Sequence, residues 1–114
     1  MSRRAVAPLV ELLQFHAAAV TQARPCLLVR HARRDGLVVP TSRGRAPEFV
    51  GGFGRATVTE AELAGLVVVG TELRGVPEYE CDSAFWRWRR GTRGYAIALG
   101  PNAPTPVIDQ EVTS

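Results

Sequence analysis

The sequence predicts a small α+β fold: an N-terminal helix packed on a small, mainly antiparallel sheet built from β-hairpins, with one further short helix. Three observations carry this expectation. Leu9, Leu12, Leu13, His16 and Val20 recur at helical spacing and form one apolar face. Short aliphatic runs at residues 26–31, 37–39, 66–69 and 95–99 are separated by stretches rich in Gly, Pro and Arg, as strands and their turns are. With 114 residues, the chain has room for one core. Residues 1–100 are therefore expected to form a single domain. Residues 101–114, which hold Pro101, Pro104 and Pro106, are expected to be a flexible tail.

The first helix is expected over residues 8–23. Pro8 suits its first turn, Glu11, Gln14, Ala18 and Gln22 lie opposite the apolar face, and Arg24-Pro25 ends it. The run CLLVRH (26–31) then reads as a strand, turned at Asp35-Gly36 into a second strand, Leu37-Val38-Val39. Residues 41–56 are dense in Gly, Pro and Arg and read as a long loop. Thr59 and Glu62 have capping-box spacing, which starts a short helix near Thr59. A buried strand follows at 66–69, and Arg74-Gly75-Val76-Pro77 is a turn. Residues 82–90 admit two readings, a helix capped by Asp82 or Ser83 and a strand. The strand is preferred, with Trp86 and Trp88 on one side, Phe85, Arg87 and Arg89 on the other, and a turn at 91–94 leading into residues 95–99.

The chain is 46% hydrophobic and 22% charged, an ordinary globular composition that excludes disorder over its whole length. All 14 basic residues are arginine, as a GC-rich genome produces, but their placement is uneven. Residues 1–57 carry nine arginines against Glu11, Asp35 and Glu48, for a net +6, while residues 58–114 come to −3. Such asymmetry points to a basic surface that meets an anionic partner. No apolar run is long enough to span a bilayer, so no membrane association is expected. The start MSRRAVAPLVELL has the charge order of a signal peptide, but Glu11, Gln14 and His16 interrupt its apolar stretch. An intracellular protein is expected, with Cys26 and Cys81 reduced.

The densest chemical signal is WRWRRGTR (86–93), which places Arg87, Arg89, Arg90 and Arg93 beside Trp86 and Trp88. Guanidinium forks bind phosphate and guanine edges, and indole rings stack on bases. A second basic set, Arg30, Arg33 and Arg34 with Arg43 and Arg45, surrounds the first hairpin and the long loop. The leading expectation is a non-enzymatic nucleic-acid-binding or regulatory protein. Arginines would contact phosphate on this reading, with Trp86 or Trp88 stacking if exposed. The alternative is a small interaction protein, of the kind viruses and mobile elements encode, that occupies a protein partner through arginine and tryptophan hot spots. A modest core and exposed hairpin edges favour a homodimer in either case.

Two family resemblances bear on this choice. Thr59 to Leu66, taken with SAFWRWRRGTRGYAIALG (83–100), resembles the winged-helix plan of excisionase-like DNA-binding proteins, which implies DNA contact by a helix and a Gly-containing wing. CLLVRHARR (26–34) resembles the strand-plus-RH motif of histidine phosphatases. That resemblance implies phosphorylation of His31 and phosphate binding by Arg30, but its chemistry needs a second histidine downstream and none follows His31.

The remaining candidates are weaker. Glu78, Glu80 and Asp82 alternate and would share a strand face, where they could hold Mg²⁺ or simply be solvated. Cys26, His31, Cys81 and His16 lack the paired knuckles of a zinc site, and His16 reads as a core histidine. Gly51-Gly52-Phe53-Gly54-Arg55 could cradle an anion but matches neither the dinucleotide fingerprint nor the P-loop. No nucleophilic triad is visible. Neither a metal nor a cofactor is expected.

Overall fold

The structure, a computed structural model, describes residues 6–32, 34–42 and 44–104. Helix α1 (Ala7–Phe15) and a short 3-10 turn (Ala17–Ala19) precede strands β1 (Cys26–His31), β2 (Arg34–Val39) and β3 (Glu48–Gly54). Helix α2 (Arg55–Leu63) and strands β4 (Val67–Leu73) and β5 (Arg93–Leu99) complete the order. The strands form one five-stranded sheet, β3-β2-β1-β5-β4, in which every neighbouring pair is antiparallel. The predicted α+β class, with two helices on a small antiparallel sheet, is what the chain adopts.

Strand alternation gives the sheet two apolar faces. Leu28, Leu37, Val39, Val67 and Ile97 point to one face, where Leu9, Val10 and Leu13 of α1 and Val58 and Ala61 of α2 cover them. Leu27, Val29 and Val38 point to the other face, where none of the described helices lies. There the segment between β4 and β5 folds back over the sheet and packs Val76, Tyr79 and Trp86 against it. Trp86 lies flat over two glycines that are register partners, Gly36 and Gly52. A β-carbon at Gly52 would sit 2.8 Å from the indole, and one at Gly36 would sit 2.9 Å from it. Only hydrogen-bearing positions admit the ring so close to the backbone.

Several local expectations are corrected. Helix α1 stops at Phe15 rather than continuing to residue 23; Ala17, Ala18 and Ala19 are exposed, so no burial sustains another helical turn. His16 is the C-terminal cap of α1 and only half-buried, not a core histidine. The first hairpin does not turn at Asp35-Gly36: both are in β2, with Asp35 opposite Arg30, and the chain turns after His31, where Ala32 takes a left-handed φ of 47°. An ion pair across the strands and the room Trp86 needs outweigh the turn preference of an Asp-Gly pair. The stretch 41–56 is no loop throughout, because Glu48–Gly54 pairs with β2 as an edge strand. Helix α2 begins at Arg55 with Gly54 as its cap, so Thr59 and Glu62 lie inside it and make no capping box.

The expected hairpin of residues 86–90 with 95–99 is absent. Residues 81–92 form neither helix nor strand, and β5 instead pairs with β1 and β4. The aromatic side chains of this segment gain more by lying on the sheet face than its backbone would at an edge. The winged-helix plan is not adopted, since residues 81–92 supply no helix directly before β5. Arg33 and Arg43 lie outside the described residues, as do residues 105–114 of the expected tail. The described part, residues 101–104, is tied back by Gln14 Nε2 donating to the Pro104 carbonyl at 2.6 Å and Asn102 Nδ2 donating to the Ala64 carbonyl at 3.0 Å. No helix among the described residues is long and apolar enough to cross a membrane.

Candidate functional site

The antiparallel register gathers charge at one end of the sheet. β1 ends there, β2 and β5 begin there, and β3 passes into α2. Arg30 faces Arg93 across the β1–β5 pair and Asp35 across the β1–β2 pair, and His31 faces Arg34. Arg55 opens α2 beside them. Like charges directly opposite one another repel, and a cation in the first helical turn opposes the helix dipole. Asp35 supplies a local anion to Arg30 and Arg55.

Asp35 is completely buried. Arg30 binds it in a two-pronged pair, Nε to Oδ1 at 2.9 Å and Nη2 to Oδ2 at 3.0 Å, and Arg55 adds Nε to Oδ1 at 3.0 Å. Arg55 also donates from Nη2 to the Ala32 carbonyl at 2.8 Å, tying the hairpin turn to α2. The Arg30 guanidinium lies 4.9 Å from the centre of the Tyr95 ring. Its hydrogen bonds to Asp35 raise its already high pKa, so Arg30 is a permanent cation. Both guanidinium groups still reach solvent, with side-chain exposures of 27% for Arg30 and 37% for Arg55. The carboxylate thus orients two arginines without hiding them.

The opposite face of the same end is aromatic. His31 meets Trp86 edge-on at 5.2 Å and Phe85 at 6.1 Å, and its Nε2 is buried with no hydrogen-bond partner. Burial, with a smaller contribution from the positive charge of Arg89, pushes the His31 pKa below its ordinary value. Arg89 therefore lies near enough to His31 for its field to be felt. Arg34, Arg87, Arg89, Arg90 and Arg93 are all exposed.

The expected site residues divide as follows. Arg30, Arg34 and Arg93 share the end of the sheet, and Arg89 approaches them. Arg87 and Arg90 are exposed on the same covering segment, with no side-chain partner among the described residues. The tryptophans are turned to another use. Trp86 is 7% exposed, stacked on Phe49 at 5.0 Å, and its carbonyl accepts from the Tyr79 hydroxyl at 2.6 Å. Trp88 is half-buried and donates its indole N–H to the Val76 carbonyl at 3.0 Å. Both indoles hold the covering segment to the sheet, so the exposure on which base stacking by Trp86 or Trp88 is conditional is lacking at Trp86 and only partial at Trp88.

Asp35 and Phe85 were not singled out by the sequence. The signal for Asp35 was a lone acid between Arg33-Arg34 and Gly36 in the first basic cluster. Nothing in the sequence separates Phe85 from its two tryptophan neighbours. The Gly51–Gly54 run forms a paired strand rather than an anion cradle. Arg30 and His31 point to opposite faces of the sheet, as adjacent strand residues must, and so do not converge as the phosphatase motif implies. Cys26 is buried on the helix-covered face and Cys81 lies at the edge of the aromatic cluster on the other face; neither is disulfide-bonded, and burial raises the Cys26 pKa to about 11. Glu78, Glu80 and Asp82 are exposed, and among the described residues no three His, Cys, Asp or Glu side chains are grouped to hold a metal. A cleft of about 700 Å³, walled by Pro25, Leu27, Pro40, Pro47 and Pro77, takes in Arg45 of the second basic set but none of the other expected arginines or tryptophans among the described residues.

Compared with protein-family models, curated proteins and solved structures, the chain matches none of them.

Proposed function

We propose that the protein is a non-enzymatic nucleic-acid-binding protein that engages the phosphate backbone with the arginine-rich end of its sheet. One observation carries the reading: at one end of the sheet the strand register sets Arg30 opposite Arg93 on one face, where Asp35 also holds Arg55, and sets Arg34 opposite His31 on the other face, near Arg89, although these residues lie far apart in the chain. Among the described residues Asp35 is the one carboxylate bonded to these arginines; it is buried against Arg30 and Arg55 and leaves an excess of positive charge at this end of the sheet. A site that positions several arginines in spite of their mutual repulsion suits a ligand with closely spaced phosphates.

The test is affinity for a fluorescein-labelled oligonucleotide across a salt series. Wild-type binding should weaken steeply as salt rises, and Arg34, Arg89 and Arg93→Ala together should flatten that slope by about 0.9 per lost phosphate contact. Binding that is insensitive to salt, or unchanged in the triple variant, overturns the proposal.

A protein partner is the second reading, and it rests on another place. β4 is a terminal strand of the sheet, Val68 is half exposed on it, and a partner strand or a second copy can add to such an edge. Sedimentation of the wild type beside Val68→Lys separates a self-associating edge from an idle one.

A further inference from the structure

We infer that Phe85 is the stacking platform of the arginine-rich end, and that the site therefore takes an unpaired base, making single-stranded nucleic acid its ligand; this rests on the nucleic-acid reading above. Stacking on a base requires an aromatic ring with an open face, held so that little motion is lost on binding, with cations close enough to meet the flanking phosphates. Trp86 fails the first condition because it is buried against the glycine pair and stacked with Phe49. Trp88 is half-buried and committed to the Val76 carbonyl.

Phe85 meets all three conditions. It is 52% exposed. Its ring stands edge-on against Trp86, with centroids 5.0 Å apart and planes at 89°, and tilted against His31 at 6.1 Å. The buried indole thus meets Phe85 at a right angle, and half of the phenylalanine stays open to solvent. Arg87 and Arg89 follow it in the chain, Arg89 is near His31, and Arg34 is the register partner of His31. An isolated exposed phenylalanine is ordinary; one braced on a buried tryptophan inside a group of uncommitted arginines has a use for its exposed face. In a duplex the base faces are already stacked and unavailable, so this arrangement favours the single strand.

The experiment compares an oligothymidylate of about 15 nucleotides with the corresponding duplex, using wild type, Phe85→Ala, Phe85→Tyr and the Arg34, Arg89 and Arg93→Ala variant. Phe85→Ala should weaken single-strand binding about tenfold and leave duplex binding unchanged, while Phe85→Tyr should retain both. Near-ultraviolet circular dichroism of Trp86 checks that the covering segment stays in place. Single-strand affinity that the arginine variant lowers but Phe85→Ala does not overturns the stacking role and leaves the phosphate reading standing. A wild type that binds neither strand nor duplex overturns both, and leaves the exposed ring to a protein contact.

Discussion

The two faces of the sheet are covered by different means. On one face, α1 and α2 lay aliphatic side chains on Leu28, Leu37, Val39 and Ile97, and regular helices supply their own backbone hydrogen bonds. On the other, a segment without regular structure is held by side chains: the Tyr79 hydroxyl on the Trp86 carbonyl, the Trp88 indole on the Val76 carbonyl, and the Trp86 ring over Gly36 and Gly52. The helical face spreads its stability over many small contacts, whereas the aromatic face concentrates it in a few large ones. The exposed arginines 87, 89 and 90 all ride on the second kind of cover. That part of the candidate site is thus built where the fold has fewest independent supports, and where single substitutions should act most strongly.

Trp86→Ala is the sharpest way to break the comparison. It removes a buried ring that touches Phe49, Phe85 and His31, and should cost about 3–5 kcal/mol. Urea unfolding measures the loss, and hydrogen exchange locates it. Amides of residues 74–92 should exchange faster while those of β1 and β5 stay protected. Equal loss of protection on both faces would show that they unfold as one unit.

Asp35→Asn comes next and strikes the helical side of the site. It leaves Arg30 and Arg55 without their shared anion and Arg30 still opposite Arg93. Breaking such a pair should cost about 3 kcal/mol, the lower end of the usual range, because both guanidinium groups reach solvent. The urea midpoint should recover partly in high salt, which screens the uncompensated arginines. No recovery in salt would mean that lost hydrogen-bond geometry, not charge, sets the penalty.

How far the sequence foretold this molecule follows the same division. Periodicity located α1, β1 and β5 because each buries its aliphatic pattern, while the run at 66–69, expected as a buried strand, opens an edge strand, β4, in which only Val67 is fully buried. It failed at Asp35-Gly36 and over residues 48–54, where glycines that look like turn and loop signals are strand positions kept small for Trp86. The use of Gly36 and Gly52 depends on a residue some 34–50 positions downstream, and no local rule carries that information. The arginines of the site were named from their clustering, but their meeting was not, since it depends on the pairing of β1 with β5. Trp86 was read as a site residue because composition cannot tell a buried indole from an exposed one.

Gly52→Ala tests the glycine pair directly with a change of one methyl group. The added carbon must push the Trp86 ring off the sheet, which should cost about 1–2 kcal/mol. In a Trp86→Leu background the same substitution should cost much less, and this double-mutant cycle is the measurement. Additive losses would place the strain in the β3 backbone instead of in the contact with the indole.

The smallest effect expected is in pH dependence, and it also belongs to the aromatic face. The His31 pKa is depressed first by burial and second by Arg89, with Arg34 opposite it in register and the uncharged rings of Phe85 and Trp86 against it. An unfolded histidine titrates near its ordinary value of about 6.5, and the folded one titrates lower. Between these two values the unfolded chain takes up a proton that the folded chain refuses. The stability from keeping His31 neutral is therefore complete above about pH 6.5, declines as pH falls toward the folded value, and levels off below it. The urea midpoint should drop between about pH 7 and pH 5.5, and His31→Gln should drop less over the same interval. An equal drop in the variant would assign the effect to other titrating groups and leave the buried Nε2 without a part in it.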